Sequence, residues 1–320
     1  MSVLGPPVLR YKVLVLAVLT VQNTSLVLVT KLSFRPTAVQ YVVSTVVASA
    51  ELLKLMMSFA LLFISDGKHA AYQAIHEIPT CVIRLMVPSV SYVLQNNLLF
   101  LGVRLLTPTQ YMVCSQSKIL TSALWSGVLL GTHITRKQCA ALFLLICGMI
   151  MVQGDEQLHG QAGSAVHISN AGSTVYGTVI VFVAALISGF AGAYLEKLYR
   201  VSGAKKQSVW FRNTQLAFLS LPIATIAACW QDGEYLWKHG IFRGYDGIVF
   251  TIVLLQAAGG LIVAAVLRYA GNVLKCFAVC FSICNCAVAS AYLHDENVSP
   301  ITALGIVLVT GSTFLYSSVK

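Results

Sequence analysis

A chain of 320 residues that is 57% apolar and only 10% charged lies far below the roughly 25% charged content of soluble domains. A water-soluble fold is excluded, and a polytopic membrane protein is expected. The formal charge of +10 does not point to nucleic acid, because Lys and Arg punctuate apolar runs instead of forming a basic patch.

With about 20 apolar residues needed to cross a bilayer, the sequence predicts ten spans. They cover residues 10–31, 38–64, 83–104, 108–130, 136–153, 173–198, 208–230, 247–268, 271–292 and 299–318. The first lacks a small-residue cleavage site and reads as a span, not a signal peptide. In the second, Glu51 and Lys54 stand at i,i+3 spacing and can neutralise each other; a gating role and a purely structural ion pair are both open. The third carries Gln95-Asn96-Asn97 in its interior, with Tyr92 and Asn96 on one helical face.

The fourth span begins at Thr107-Pro108-Thr109-Gln110, a threonine cap, a first-turn proline and a glutamine placed for a capping box. Tyr111 and Lys118 follow at seven-residue spacing on one face, with Lys118 too deep to snorkel. A lysine at the bilayer centre costs about 2.5–3.5 kcal/mol on insertion scales, so it reads as functional by default. For the amides the competing reading is an interhelical hydrogen-bond cluster that only holds helices together.

In the sixth span Ser188-Gly189-Phe190-Ala191-Gly192, and in the eighth Gly259-Gly260, remove side-chain bulk. Such stretches serve close helix packing or the approach of a flat base or ribose to bare backbone. Arg212 and Asn213 open the seventh span, the amide placed to read a base edge or to cap its helix. Lys275 lies in the ninth and, like Lys118, has no acidic neighbour in sequence. Two deep cations suit a ligand with about two negative charges, such as a phosphorylated molecule. A proton or cation carrier needs buried carboxylates, and only Glu51 is available. Cys276, Cys280 and Cys284 stripe one face of the ninth span without a histidine or carboxylate, which favours packing over a metal site. Ser299-Pro300 repeats the cap-and-proline start before the last span.

The sizeable loops are 65–82, 154–172, 199–207 and 231–246. Ten spans divide into 1–153 and 173–320, joined by 154–172, and an odd number per set inverts the second set relative to the first. Gln95, Arg104 and Lys118 are echoed by Gln256, Arg268 and Lys275. The expected fold is an all-α membrane protein of ten transmembrane helices in two inverted five-helix repeats, with the site at their interface. No HExxH, nucleophile elbow, Walker loop or paired carboxylates occur within a span, so no catalytic residue is expected and the chain is not read as an enzyme.

The stretches AELLK (50–54), VPSVSYVLQNN (87–97), KILTSAL (118–124), SGFAGAYLEK (188–197), SVWFRNTQL (208–216) and QAAGGLIVAAVLRYAGNVLKCFA (256–278) carry a resemblance. The sequence resembles the nucleotide-sugar transporters, in the branch holding the UDP-galactose, UDP-N-acetylglucosamine and CMP-sialic acid carriers, and is nearer the UDP-sugar members. The resemblance implies the drug/metabolite transporter fold with cytosolic termini. It also implies exchange of a cytosolic nucleotide sugar for a lumenal nucleoside monophosphate, in Golgi or endoplasmic reticulum. It implies a site of Tyr92, Asn96, Tyr111, Lys118, Ser188, Gly189, Asn213 and Lys275, the lysines on phosphate and the tyrosines, amides and serine on base and ribose. Gly192, Gly259 and Gly260 join it as close-approach glycines.

Where the family reads YQVTYQLK, KYADNILKGF and ILST, this chain has YMVCSQSK (111–118), RYAGNVLKCF (268–277) and SICN (282–285). Ser115, Gly271, Cys276 and Asn285 are the departures around the expected cavity. The expected partners are a nucleotide sugar, a nucleoside monophosphate and the bilayer, with a homodimer left open and no nucleic acid, cofactor or metal. A UDP-sugar/UMP antiporter is the leading expectation. A CMP-sialic acid/CMP antiporter, an exporter of another organic anion and a non-transporting scaffold or chaperone stand as alternatives.

Counting Lys and Arg at the span ends, with the N-terminus cytosolic, sets twelve on one side against five on the other. Tags on both termini should therefore be digested by protease added to sealed Golgi vesicles, while a tag in 154–172 should be protected. Protection of either terminus overturns this orientation.

Overall fold

In hydrocarbon a backbone N–H or C=O has no water to bond, so a chain this apolar must close its hydrogen bonds within helices. In the computed structural model the described residues are 6–34, 41–159, 171–201, 208–269, 271–293 and 299–318. They form α1 (Pro6–Ser33), α2 (Val43–His76), α3 (Ile78–Leu105), α4 (Pro108–Ser115), α5 (Ser117–Leu130), α6 (Arg136–His159), α7 (Ala171–Val201), α8 (Val209–His239), α9 (Gly247–Tyr269), α10 (Gly271–Leu293) and α11 (Pro300–Ser318). No strand occurs among the described residues. Among the described residues, five helices carry a stretch long and apolar enough to cross a membrane by length and composition. Ile64, Ile83, Phe143 and Val288 are exposed on the outside of the bundle, the surface of a multi-pass membrane protein and not of a soluble one.

Local chemistry sets the helix ends. The capping box at Thr107 forms as expected: Gln110 N donates to Thr107 Oγ1 at 3.3 Å, and Thr107 N donates to Gln110 Oε1 at 3.1 Å. Ser299 Oγ accepts from the amides of Ile301 and Thr302, each at 3.1 Å. A second box, Thr135 with Gln138, starts α6.

Three boundaries differ from the sequence reading. The expected loop 65–82 is mostly helix: α2 bends at Gly67 (φ 84°), continues to His76, and α3 begins at Ile78. Gly67 adopts a backbone conformation that a residue with a Cβ resists. Beyond the bend, Ala71, Ala74 and Ile78 recur at helical spacing and are buried; Ala71 and Ala74 pack with Trp210 and Phe211 of α8. That segment is an amphipathic helix whose polar outer face looked like a loop. The expected loop 231–246 is likewise helical to His239, with an exposed Lys238–Glu234 pair at i,i+4. The third difference is at 154–159, which extends α6, while 160–170 lies outside the described residues.

The fourth predicted span is two helices, so ten expected spans become eleven helical segments. Ser115 Oγ donates to Met112 O at 2.7 Å, and Gln116 Nε2 points to the same carbonyl at 3.5 Å. The Gln116 amide bonds Val113 O instead, at 3.1 Å, a three-residue closure. A serine that captures a carbonyl of the preceding turn competes with the ladder and bends the helix.

Helices before residue 160 pack chiefly on helices after 170: α2 on α8, α6 on α11, α3 on α7 and α8, α5 on α7, α1 on α9 and α10, α2 on α9, and α4 on α10. Polar ties gather at one end of the bundle. Ser44 Oγ donates to Asp232 Oδ2 at 2.6 Å, joining α2 to α8. Tyr245 Oη donates to Thr45 Oγ1 at 3.2 Å, and Lys31 Nζ donates to Leu106 O at 2.6 Å beyond the end of α3. Buried Asp155 accepts from Ser299 Oγ and from Thr302 Oγ1 at 2.7 Å, joining α6 to α11. At the opposite end Gln215 Nε2 donates to Ala74 O at 3.2 Å, and a cavity of about 490 Å³ opens among Ser126, Thr132, His133, Glu196 and Tyr316.

Asp155→Ala removes a charged acceptor from two hydroxyls. A hydrogen bond to a charged group contributes about 1.5–3 kcal/mol, so this variant should melt several degrees lower in detergent. Glu234→Ala, on the exposed pair, should leave the melting temperature where it is. Equal melting of both variants refutes the Asp155 tie.

Candidate functional site

α2, α3 and α9 meet at a charged cluster deep in the bundle. Lys54 Nζ lies 2.6 Å from Glu51 Oε1, Glu51 is 2% exposed, and the Lys54 side chain keeps 21% of its surface accessible. Asn96 Nδ2 of α3 donates to the same Glu51 oxygen at 3.5 Å. A helix rises 1.5 Å per residue, so Lys54 lies about 16 Å from Val43 and Asn96 about 14 Å from Leu105. Both depths fall near the middle of a hydrocarbon layer about 30 Å thick. The sequence reading kept the ion pair apart from Asn96; the structure joins them.

On the other side of the ion pair stands Gly260. A Cβ built there would meet only Lys54 Cδ, at 3.6 Å, with open space elsewhere. Its neighbour Gly259 is different: a Cβ there would fall 2.5 Å from Gln22 Nε2 of α1, a side chain fixed by its own bond to Leu255 O at 3.0 Å. The two readings of the glycines thus divide by residue. Gly189 packs, since a Cβ would lie 2.8 Å from the Thr121 backbone, whereas Gly192 is exposed and faces open space.

Lys118 is the second residue of α5, two positions after the step at Gln116, and is exposed. α5 is tied to α7 through Thr121 Oγ1 to Ala185 O at 2.7 Å and Trp125 Nε1 to Leu186 O at 3.1 Å. Ser188, one turn beyond Ala185, is 4% exposed, and its Oγ has no hydrogen-bond partner among the described residues. Tyr92 leans on a cluster of Ile78, Leu85, Leu195, Leu216 and Leu219 that gathers α3, α7 and α8. Asn213, half-buried near the start of α8, holds a buried Nδ2 without a partner among the described residues. It lies about 6 Å along the helix from Val209, shallower than Asn96.

The Tyr111 ring packs with Leu106, Cys114 and Val181 against Gly102, on the α4 side of the tightened turn at Gln116 that precedes Lys118. Lys275 lies in α10, with its side chain and those of Gly271 and Cys276 outside the described residues. Asn285 is exposed on α10. Among the described residues no three His, Cys, Asp or Glu side chains gather as metal ligands.

Gln95 was left out of the expected site. It is 9% exposed, and its Oε1 is buried without a partner among the described residues. Orphaned polar atoms are costly in hydrocarbon. Those on Gln95, Ser188 and Asn213 mark the α3, α7 and α8 surfaces as ones where water or a polar ligand supplies the missing bonds. The signal was in the sequence, in the run Gln95-Asn96-Asn97, but not which amide would be buried.

A family model described as "Nucleotide-sugar transporter" matches residues 8–317. The human UDP-galactose translocator is 38% identical over 314 residues, covering 96% of this chain and 77% of that protein. The human UDP-N-acetylglucosamine transporter is 38% identical over 313 residues, 94% of this chain and 93% of that one. The Caenorhabditis elegans UDP-N-acetylglucosamine/UDP-N-acetylgalactosamine transporter nstp-4 is 36% identical over 320 residues, with 95% and 93% covered.

The glycine pair separates packing from access. Gly259→Leu forces a side chain into Gln22, and overpacking costs about 1–3 kcal/mol, so its melting temperature should fall. Gly260→Leu enters open space beside Lys54 and should melt like the unaltered protein. A lower melting temperature for Gly260→Leu, with Gly259→Leu unchanged, reverses the assignment.

Proposed function

Because the chain belongs to the nucleotide-sugar transporter family, we propose that it carries UDP-galactose or UDP-N-acetylglucosamine into the Golgi lumen in exchange for UMP. The observation that carries this reading is the naming of relatives 36–38% identical over most of both chains, all for UDP-sugars. The polar groups near mid-bundle support it, since transporters of this kind of plan bind at the membrane midplane between repeats.

The repeats themselves belong to the proposal. Let α4 and α5 count as one span, and shift every span by five. The α3–α7 contact then maps onto α1–α9, α5–α7 onto α1–α10, and α3–α8 onto α2–α9. The pairs α2–α8, α6–α11 and α4–α10 map onto themselves. This pattern is expected of two five-helix repeats related by a pseudo-two-fold axis. With the twelve-to-five bias of basic residues, both termini are cytosolic, and the end closed by Ser44–Asp232 and Asp155–Thr302 is lumenal. The cavity near Glu196 and Tyr316 then opens to the cytosol, and alternating access requires those lumenal ties to part.

Charge fits the exchange. A diphosphate ester carries about two negative charges and UMP about −1.5 to −2 at neutral pH. Lys118 and Lys275 supply two positive charges for either ligand, so each half of the cycle moves a similar charge.

Uptake of labelled UDP-galactose into proteoliposomes should be much faster with UMP inside than without it. Lys118→Gln and Lys275→Gln should each slow exchange about ten- to a hundredfold, the equivalent of one charged hydrogen bond. Exchange untouched by both substitutions refutes the lysines as phosphate ligands, and absence of nucleotide-dependent uptake in the unaltered protein refutes the transport reading.

A further inference from the structure

We propose that the corner between α8 and α9, from Trp230 to Arg243, is a binding surface for phospholipid headgroups. Arg243 holds the phosphate, and Trp230 and Trp237 stand at the inner and outer edges of the headgroup layer. The inference goes beyond the transport reading and holds whichever sugar is carried.

The corner shows a large amount of apolar surface. Trp230 is 89% and Trp237 93% exposed, with Ile241 and Phe242 also exposed. A contiguous patch of this kind marks an interaction site. Around a helix of 3.6 residues per turn, Trp230 and Trp237 lie about 40° and 20° from Ile226, which is itself exposed on α8. Ile226 faces outward within the span, toward hydrocarbon. The two tryptophans therefore continue a lipid-facing stripe past the end of the span.

Depth picks out the layer. The Ser44–Asp232 bond of 2.6 Å sets Asp232 level with the start of α2, at the end where α9 also begins and α3 finishes. At a rise of 1.5 Å per residue, Trp230 lies about 3 Å to the hydrocarbon side of that level and Trp237 about 7.5 Å beyond it. The headgroup layer on one face is about 5–7 Å thick, from a bilayer of about 40–45 Å around a core of about 30 Å. The pair brackets that layer. An indole, apolar in its ring and polar at its N–H, suits such a boundary. A water-soluble partner could cover Trp237, but it would have to enter the membrane to reach Trp230.

Charge supplies the ligand. Glu234 holds Lys238 at 2.6 Å, Asp232 accepts from Ser44, and Asp246 Oδ1 accepts from the Val249 amide at 2.8 Å. Arg243 is exposed in the turn that follows α8 and has no ion-pair partner among the described residues. Its guanidinium carbon lies 5.8 Å from the centre of the Tyr235 ring. Tyr235 stands about 4.5 Å beyond Asp232 along the helix, so Arg243 is within the headgroup layer. A guanidinium there matches phosphate oxygens in a two-pronged geometry. The turn is also held in place. The Phe242 and Tyr245 rings meet edge to face at 5.3 Å, and Tyr245 Oη donates to Thr45 Oγ1 of α2 at 3.2 Å.

The test uses the full-length chain, first in nanodiscs. A lipid with a nitroxide on its headgroup should quench Trp237 emission and aqueous iodide should not, with Trp237→Phe identifying that residue's share. In detergent, dihexanoyl phosphatidylcholine should raise the melting temperature, and a phosphate-free glycolipid of similar chain length should not. The apparent phospholipid affinity should fall about tenfold in Arg243→Gln, equivalent to 1.4 kcal/mol. Trp237 and Arg243 are both exposed, so neither substitution disturbs packing. Quenching of Trp237 by iodide in place of the nitroxide would assign the surface to a soluble partner. Shielding that appears only in discs holding two chains would assign it to a second copy. Either result overturns the proposal, as does equal phospholipid stabilisation of Arg243→Gln and the unaltered protein.

Discussion

Within a bilayer each helix satisfies its own backbone, so side chains do the work of joining one helix to the next. Here they do it largely by donating to carbonyls of neighbouring helices. Thr121 and Trp125 of α5 reach Ala185 and Leu186 of α7. Gln22 of α1 reaches Leu255 of α9, and Thr20 reaches Ala278 of α10 at 3.2 Å. Each bond contributes about 0.6–2 kcal/mol, and a carbonyl already engaged in a helix retains a lone pair to accept it. Small residues bring the backbones close enough for this, as Gly189 does at Thr121 and Gly259 at Gln22. The glycines and the hydroxyl or amide donors are thus two parts of one device.

The same competition for carbonyls explains the step in the fourth span. At Met112 the Ser115 hydroxyl and the Gln116 amide side chain both turn to one carbonyl, and the ladder tightens around them. A larger residue without a hydroxyl at its β-carbon could not make that local bond. The departure at Ser115 therefore acts on the path of the helix that carries Lys118, and not only on the lining of a cavity.

What was legible in the sequence is what local chemistry decides. The Thr107–Gln110 box, the Ser299 cap and the Glu51–Lys54 pair each depend on residues within one turn, and each is formed. The amphipathic segment after Gly67 was missed because its charged outer face resembled a loop, although Ala71, Ala74 and Ile78 already stood at helical spacing. The Asn96–Glu51 and Gly260–Lys54 neighbourhoods were not legible, since they depend on how separate helices rotate against one another. Consecutive residues on a helix point about 100° apart, so Gly259 and Gly260 were bound to have different roles even though they read as one motif.

The central cluster and the closed end are both built across the two halves of the chain. Lys54 and Asn96 come from helices before residue 160 and Gly260 from α9, so the cluster itself spans both halves. Ser44–Asp232 and Asp155–Thr302 also join the halves, but at one end of the bundle. Opening that end requires those bonds to break and the apolar packing beside them, with Val46, Val47, Phe100, Val249 and Ile252 at its centre, to part as well.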